Sequence, residues 1–492
     1  MSNQYSNLPG VNVSVKDGQM LLTTDRTSNS MLIVAEAKTG KVTPKGPVYI
    51  SNESELRDSF GGFFYQGELN PIAAQWAIAR QNGVRNIFLM ALAKGDSKAR
   101  FVDLHNKLFN LMEELSFSHV VLDGLYADEE ITGLTASDFG VTVLDELDTI
   151  PTLYQYNYTV GAVVEEGSVI DLAVDGQTLS IVIDTVTELE NALSQAFVDN
   201  GIGGTVRLSS NKILSDKNIK FEGEAAEAIG LTTRELVAEG SPAALLANYA
   251  ETTSNEIGST VAYISVAPAS SIDLSGIKAH TAALLERNNA VSPYLQVIAG
   301  PQVGVTVPGS LRTQWVSGVA QYATLVSQLA PQNAPTNQVL PGAVTLRYNL
   351  SPRQLNDLTG AKYVTFRTKN GQIRVVDGVT TAPDLSVGQD IVKSDFTRLS
   401  TLRIVNYMVN VLRDACESFI GMPNAFANYN AMNTAIKAQI DRAIEEGIIQ
   451  DARYSISLGQ SLDASDIQLT ILPQFELRTI NVTIGLTTPD NF

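Results

Sequence analysis

The chain of 492 residues has one cysteine and three histidines. A single thiol, Cys416, excludes an internal disulfide framework and a thiolate metal cluster, and it fits synthesis in a reducing compartment. His105, His119 and His280 fall at no spacing of two, three or four, so the helical zinc motif is missing. Basic residues are also scarce, 34 Lys and Arg against 52 Asp and Glu, for a formal net charge of −18. Phosphate backbones are bound by clustered Lys and Arg, so nucleic acid is a poor partner. No stretch reaches the roughly 18 consecutive apolar residues of a membrane helix, and the N-terminus lacks the basic start and apolar core of a signal peptide. GIGGT at 201–205 falls short of the dinucleotide fingerprint and reads as a turn. No Lys-Ser or Lys-Thr pair makes a phosphate loop, and no GxSxG pattern is present. What remains, 44% apolar and 17% charged residues, is an ordinary globular composition. A chain of this length predicts roughly two to four domains.

The patterning is that of alternating strands and helices. MLIVAEA at 31–37, VRNIFLMAL at 84–92 and HVVLDG at 119–124 read as strands. Between them, 70–83 reads as a helix with Asn70 as N-cap, Pro71 first and Gly83 as a left-handed stop. Phe101, Leu104, Leu108, Leu111 and Leu115 share one helical face. This rhythm predicts an α/β layer. It breaks at about 160–232, where SVIDLAVDGQTLSIVID reads as a hairpin about Asp175-Gly176 and TELE at 187–190 as a capping box. GTVRLSS and NIKFEG follow as strands, giving a β-rich insertion. The rhythm resumes with strands at 260–268 and 294–300 and helices near 275–287 and 311–328. A Ser351-capped helix runs to Gly360, and a hairpin at 362–378 turns at Asn370-Gly371. Toward the end, Leu402, Val405, Val409, Leu412, Cys416 and Phe419 mark one long helix. Met432, Ile436, Ile440, Ile444 and Ile448 mark a second, which carries an Arg442–Glu446 pair. RYSISLG, DIQLTILP and RTINVTIGL close the chain as strands. VNVSV at 11–15 opens it in the same alternating pattern. A strand so near a terminus has bare backbone edges, which a distant segment or another molecule must satisfy.

Few residues suggest catalysis. Asp123 ends a strand of an open α/β layer, where ligands gather, and Asp128, Glu129 and Glu130 follow it as a conceivable magnesium site. A solvated acidic loop explains the same residues. His105 and His119 read as structural, and Cys416 sits in the apolar register of its helix, where a thiol is inert. The expectation is therefore a protein that is not an enzyme and needs no cofactor.

Laid in order, these motifs resemble a contractile tail sheath protein of a bacteriophage or related phage-like contractile injection system. NLPGVNVSV resembles the sheath N-terminal Pro-Gly-Val arm. SMLIVAEAKTGKVTPKGPVYISNESELRDSFGG resembles the run of opening strand, Gly-Pro loop (Gly46-Pro47), short helix and Phe-Gly pair (Phe60-Gly61). QWAIARQNGVRNIFLMAL resembles the helix, turn and strand that follow. FTRLSTLRIVNYMVNVLRDACESFIGMPN resembles the long C-terminal helix and its ending, and 430–486 the closing helix, strands and arm. The resemblance covers roughly the first 100 and last 110 residues. It implies an α/β and α+β multidomain chain: an arm at 1–22, an α/β domain in two parts (23–159 and 233–378), a β-rich insertion at 160–232 on the outer surface, a core domain facing the tube at 379–473, and a strand arm at 474–492. It further implies stacked hexameric rings around an inner tail tube, with baseplate and tail terminator proteins as partners and no direct membrane insertion. Such a subunit would be assembled in the host cytoplasm and reside in the virion tail. Contraction from a metastable extended state would drive the tube through an envelope without a nucleotide. Intersubunit strands would be carried by Val11, Val13 and Val15 and by Ile480, Val482 and Ile484. Arg398, Arg403 and Arg413, charged positions on the long helix, are candidates for tube contact, and a solvated helix face is the plainer account of them. A non-contractile virion component and an α/β enzyme with Asp123 in a metal site are the competing expectations.

Overall fold

A computed structural model describes residues 30–112, 117–139, 152–157, 167–174, 177–183, 189–200, 206–209, 212–215, 219–229, 231, 234–256, 258–286, 292–387, 390–423, 426–458 and 465–476. Val11, Val13, Val15, Ile480, Val482, Ile484 and the GIGGT turn lie outside these residues, as do the turn residues Asp175-Gly176 and the cap of the TELE box. The chain divides into two compact units, one drawn from 1–92, 107–128 and 246–492, the other from 93–106 and 129–245.

The first unit is organised on a six-stranded sheet in the spatial order Leu295–Ile298, Val261–Ser265, His119–Asp123, Ser30–Glu36, Asn86–Leu92, Val48–Tyr49. The first five strands are parallel, and the short Val48–Tyr49 runs antiparallel at the edge. Parallel strands covered on both faces need continuous apolar runs. Met31, Leu32, Ile33 and Val34 are accordingly all 0% exposed. The chain moves from Ser30–Glu36 to Asn86–Leu92 on one side, then to His119–Asp123 on the other, so the strand order reverses at the first strand. Helices Pro71–Gln81 and Val319–Gln328 pack against this sheet and against each other. Gly83 takes φ +98° and stops the first of them. Asn70 stands at the N-cap position, but its side chain makes no cap. Instead its amide donates to the Phe60 and Gly62 carbonyls (3.0 and 2.9 Å) and its Oδ1 accepts from Lys38 N (3.0 Å). A fully buried amide satisfies three backbone groups there, which outweighs one cap bond.

The helix expected near 311–328 starts only at Val319. Gln314–Val316 instead forms a strand paired antiparallel to Val303–Val305, which pairs in turn with Ala343–Leu346. Gly318, at φ +83°, separates that strand from the helix. Elsewhere in this unit local signals and structure coincide. Ser351 and Gln354 form a complete capping box on Pro352–Gly360. Phe366–Lys369 and Gln372–Val375 pair across Asn370 and Gly371, both at positive φ (52° and 72°), the backbone that a tight hairpin turn demands.

The second unit holds a five-stranded sheet ordered Val206–Ser209, Lys212–Ser215, Thr152–Asn157, Arg234–Gly240, Ile131–Leu134, and a three-stranded sheet ordered Gln177–Ile183, Ser168–Val174, Ile219–Glu222. Helix Leu189–Asp199 supplies Leu189, Leu193 and Phe197 to its core, where they join Ile170, Leu172, Ile181 and Ile213. Tyr156 ties the two sheets together, its hydroxyl accepting from Ile219 N at 2.6 Å.

Candidate subunit-docking surface

Beyond the parallel sheet, the first unit ends in a helix pair and a ribbon. The amphipathic spacing within the last hundred residues yields helices Leu399–Glu417 and Phe426–Glu445, packed on each other. Leu402, Val405, Val409, Leu412 and Cys416 form the buried stripe of the first. Burial pushes the Cys416 thiol up to about 11, so it is a core thiol. The second helix ends in a full Schellman motif: Ile448 N donates to Ala443 O (2.9 Å), Gly447 N donates to Ile444 O (3.0 Å), and Gly447 has φ +68°. Its last turn carries the Arg442 Nε to Glu446 Oε1 bond at 2.7 Å.

That stop launches a long antiparallel hairpin, Ile449–Leu458 with Ser465–Pro473, in register from Asp451↔Leu472 to Leu458↔Ser465, with a shift between Asp451 and the Ile449↔Pro473 pair. A period of two divides its residues cleanly. Ala452, Tyr454 and Ile456 lie opposite Ile471, Leu469 and Ile467 on the face turned to the helices. Tyr454 Oη bonds Asn433 Oδ1 (2.9 Å) and Tyr429 Oη donates to Ile456 O (2.9 Å), stapling that face down. The other face, Arg453, Ser455 and Ser457 opposite Thr470, Gln468 and Asp466, is exposed. Among the described residues no third strand pairs with either edge of this ribbon. Each edge therefore presents a row of backbone donors and acceptors over nine or ten residues. Edge strands are ordinarily blunted by shortness, inward charges or proline. Here the only proline is the terminal Pro473, and the inward residues are apolar. A backbone arranged this way can accept further strands by main-chain hydrogen bonding, with alternate side chains setting register.

The arginines singled out from sequence are placed as follows. Arg398, at the start of the long helix, bonds Asp377 Oδ2 at 2.6 Å and faces Glu476 Oε1 at 3.8 Å. Arg403 points inward. Its guanidinium donates to the carbonyls of Ala330 (3.1 Å), Asn333 (3.4 Å) and Leu329, just past the C-terminal end of helix Val319–Gln328, where the helix dipole favours a cation. Burial lowers its pKa, since the charge is held away from water. Arg413 is half-buried on the same helix. The convergence of Arg398 with Asp377, Thr336 and Glu476 was not legible in sequence, because those residues come from four separate stretches.

Asp123 stands where the strand order reverses, at the end of His119–Asp123. Its Oδ1 accepts from Ser317 Oγ at 3.1 Å and its Oδ2 from the Gln75 side chain. Burial raises its pKa, only partly offset by those two donors. Asp128 Oδ1 accepts from Ala267 N at 2.6 Å, and Glu129 accepts from the Ser97 hydroxyl. No cluster of three His, Cys, Asp or Glu able to hold a metal occurs among the described residues. His119 Nδ1 lies 2.9 Å from Tyr263 Oη in the core, and burial lowers its pKa to about 3. His105 packs edge-to-face on Phe139 with centroids 4.8 Å apart. His280 is half-buried on helix Leu274–Leu285. No described helix is long and apolar enough to cross a membrane.

The fold built from sheet, helix pair and ribbon is similar to that of chains in contractile injection assemblies. In particular, the structure is similar over nearly its whole length to a chain of the anti-feeding prophage baseplate (TM-score 0.53, 11% identity, covering 98% of this chain and 99% of that one). A chain of the same baseplate in its contracted state gives TM-score 0.51 at 13% identity, covering 97% and 99%. A chain of the contracted sheath complex of an extracellular contractile injection system, PVC, gives 0.50 at 10% identity, covering 98% of both. By sequence, no family model and no curated protein matches the chain.

Proposed function

We propose that this chain is a structural subunit of a contractile sheath, joined to its neighbours by strand addition at the ribbon Ile449–Pro473. The observation that carries the reading is a half-buried ribbon, stapled to its helices, whose two edges pair with no other strand among the described residues. Two strand patterns in the same chain, Val11-Val13-Val15 and Ile480-Val482-Ile484, have the alternation such edges accept. In the full reading, subunits stack as hexameric rings around an inner tail tube, with 1–22 and 474–492 as exchanged arms, 379–473 nearest the tube and 160–232 outside. Baseplate and terminator proteins would bound the stack in a virion tail assembled in the host cytoplasm. Contraction would release free energy stored at assembly, with no catalytic step. The similarity of fold to chains of contractile assemblies supports this reading. The metal-enzyme alternative at Asp123 draws no support from a carboxylate whose two oxygens already accept from Gln75 and Ser317.

The deciding experiment is electron microscopy of purified full-length protein beside Val13→Pro. Hollow striated cylinders from the unaltered chain and dispersed, folded monomers from the variant are expected, because proline removes a ladder donor. Normal cylinders from Val13→Pro would sink the donated-strand reading.

A further inference from the structure

The ribbon is followed at once by a buried ionic cluster with no part in its pairing. Asp377, 2% exposed, ends the stretch after the hairpin Phe366–Val375. Its Oδ2 accepts from Arg398 at 2.6 Å, and its Oδ1 accepts from Thr336 Oγ1 (3.0 Å) and Gly378 N (3.0 Å). Glu476, three residues past the ribbon, reaches the same group. Its Oε1 is 3.8 Å from Arg398 Nε and its Oε2 is 3.2 Å from Thr336 Oγ1. Four segments distant in sequence thus meet, two of them bringing a carboxylate and one a guanidinium.

We propose that Arg398 is a positioning residue: it pins the root of the C-terminal segment to the body of the subunit through Glu476, fixing the point from which residues 477–492 depart. The proposal rests on the reading of that segment as an exchanged strand, and the geometry argues for it in three ways. First, the pin is itself immobile. Arg398 bridges Val379 in antiparallel fashion, Leu399 N donates to Gly378 O (3.1 Å) and Thr380 N donates to Thr397 O (3.0 Å). Secondly, the apolar side chain nearest the root does not hold it, since Phe475 is 64% exposed, and the backbone tie at Gln474 N to Ile448 O is long at 3.4 Å. Thirdly, the two halves of the cluster differ. The Asp377 half is short, buried and charge-assisted, which makes it the permanent one. The Glu476 half is a longer ion pair at 3.8 Å and shares the Thr336 hydroxyl with Asp377. A pull on the chain beyond Glu476 is therefore met by a side-chain latch before it reaches the ribbon's ladder.

The test uses the full-length chain, Glu476→Gln, Thr336→Val and a deletion of 477–492. Amide exchange at Gln474 is read by mass spectrometry alongside polymer yield. Loss of the latch is expected to speed exchange at Gln474 by about tenfold, the scale of one hydrogen bond to a charged group, in either substitution. Thermal unfolding of the rest should be unchanged in Glu476→Gln and lowered in Thr336→Val, which also takes a donor from buried Asp377, and fewer cylinders should form in both. Exchange at the unaltered rate in both substitutions would overturn the latch, whatever the cylinders do. Normal cylinders from the deletion would overturn the exchanged-strand reading instead, so the two failures are told apart.

Discussion

The parallel sheet and the C-terminal ribbon are both strand structures in one unit, yet they solve the edge problem in opposite ways. The sheet covers both faces, ends one edge with the two-residue strand Val48–Tyr49, and buries Met31 to Val34 completely. The ribbon covers one face, leaves two long edges and alternates buried with exposed residues along its length. A two-stranded ribbon is marginal by itself in water. This one is held by Tyr429, Tyr454 and an apolar inner face, so its open edges persist in the folded chain rather than fraying. Among the described residues, then, the sheet is a six-stranded layer with a short edge, whereas the ribbon stays two-stranded.

That contrast can be broken experimentally. The largest effect is expected in the sheet. Ile33→Ala, at a fully buried central position, should lower the unfolding free energy by about 2–5 kcal/mol. Urea denaturation would measure it, and a loss under about 1 kcal/mol would mean that the sheet is not the stability core. Next is an acid sensitivity seated in the same sheet. His119 has its pKa lowered to about 3 by burial, against 6.5 when exposed. The unfolded chain therefore binds the extra proton. His119 contributes stability that is full above pH 6.5 and lost as pH falls toward 3, with a limiting slope of about 1.4 kcal/mol per pH unit. Unfolding midpoints across that range should flatten in His119→Gln; a parallel curve would refute it. Asp123 has the opposite sign. Its raised pKa makes the folded chain hold the proton more tightly, so its contribution is full below the ordinary value of 3.8 and declines as pH rises through the raised one. The stability of the unaltered chain minus that of Asp123→Asn should fall with rising pH over that window. At the joint between helix and ribbon, Gly447→Ala forces a Cβ into φ +68° and should cost about 1–2 kcal/mol, read by thermal unfolding. Smallest of all, Ser455→Thr on the ribbon's exposed face should leave monomer stability within about 0.5 kcal/mol. Any loss of cylinders from it would then report on assembly alone.

Much of the element list was legible in the residues. Ser351 with Pro352 and Gln354, Asn370-Gly371, Gly83 and Gly447 act through their own backbone and nearest neighbours, and each sits where local chemistry puts it. The stripe from Leu402 to Cys416 follows the same logic, since a helix face is set by spacing alone. Asn70 and Gln314–Val316 departed from the local reading for one reason. A buried amide serving three backbone groups, and a strand offered two paired neighbours, gain more from distant partners than from adjacent ones.

The amino-acid sequence by itself determined the helix faces, the tight turns, the alternating strands at 449–473 and the poverty of catalytic groups, because these depend on residue type and short spacing. Only the tertiary structure decided that Arg403 serves the end of another helix, that Arg398 meets Asp377, Thr336 and Glu476, and that the ribbon's edges take no third strand among the described residues. Those outcomes depend on which distant backbone and carboxylate groups packing brings within hydrogen-bond reach, and no local pattern encodes that.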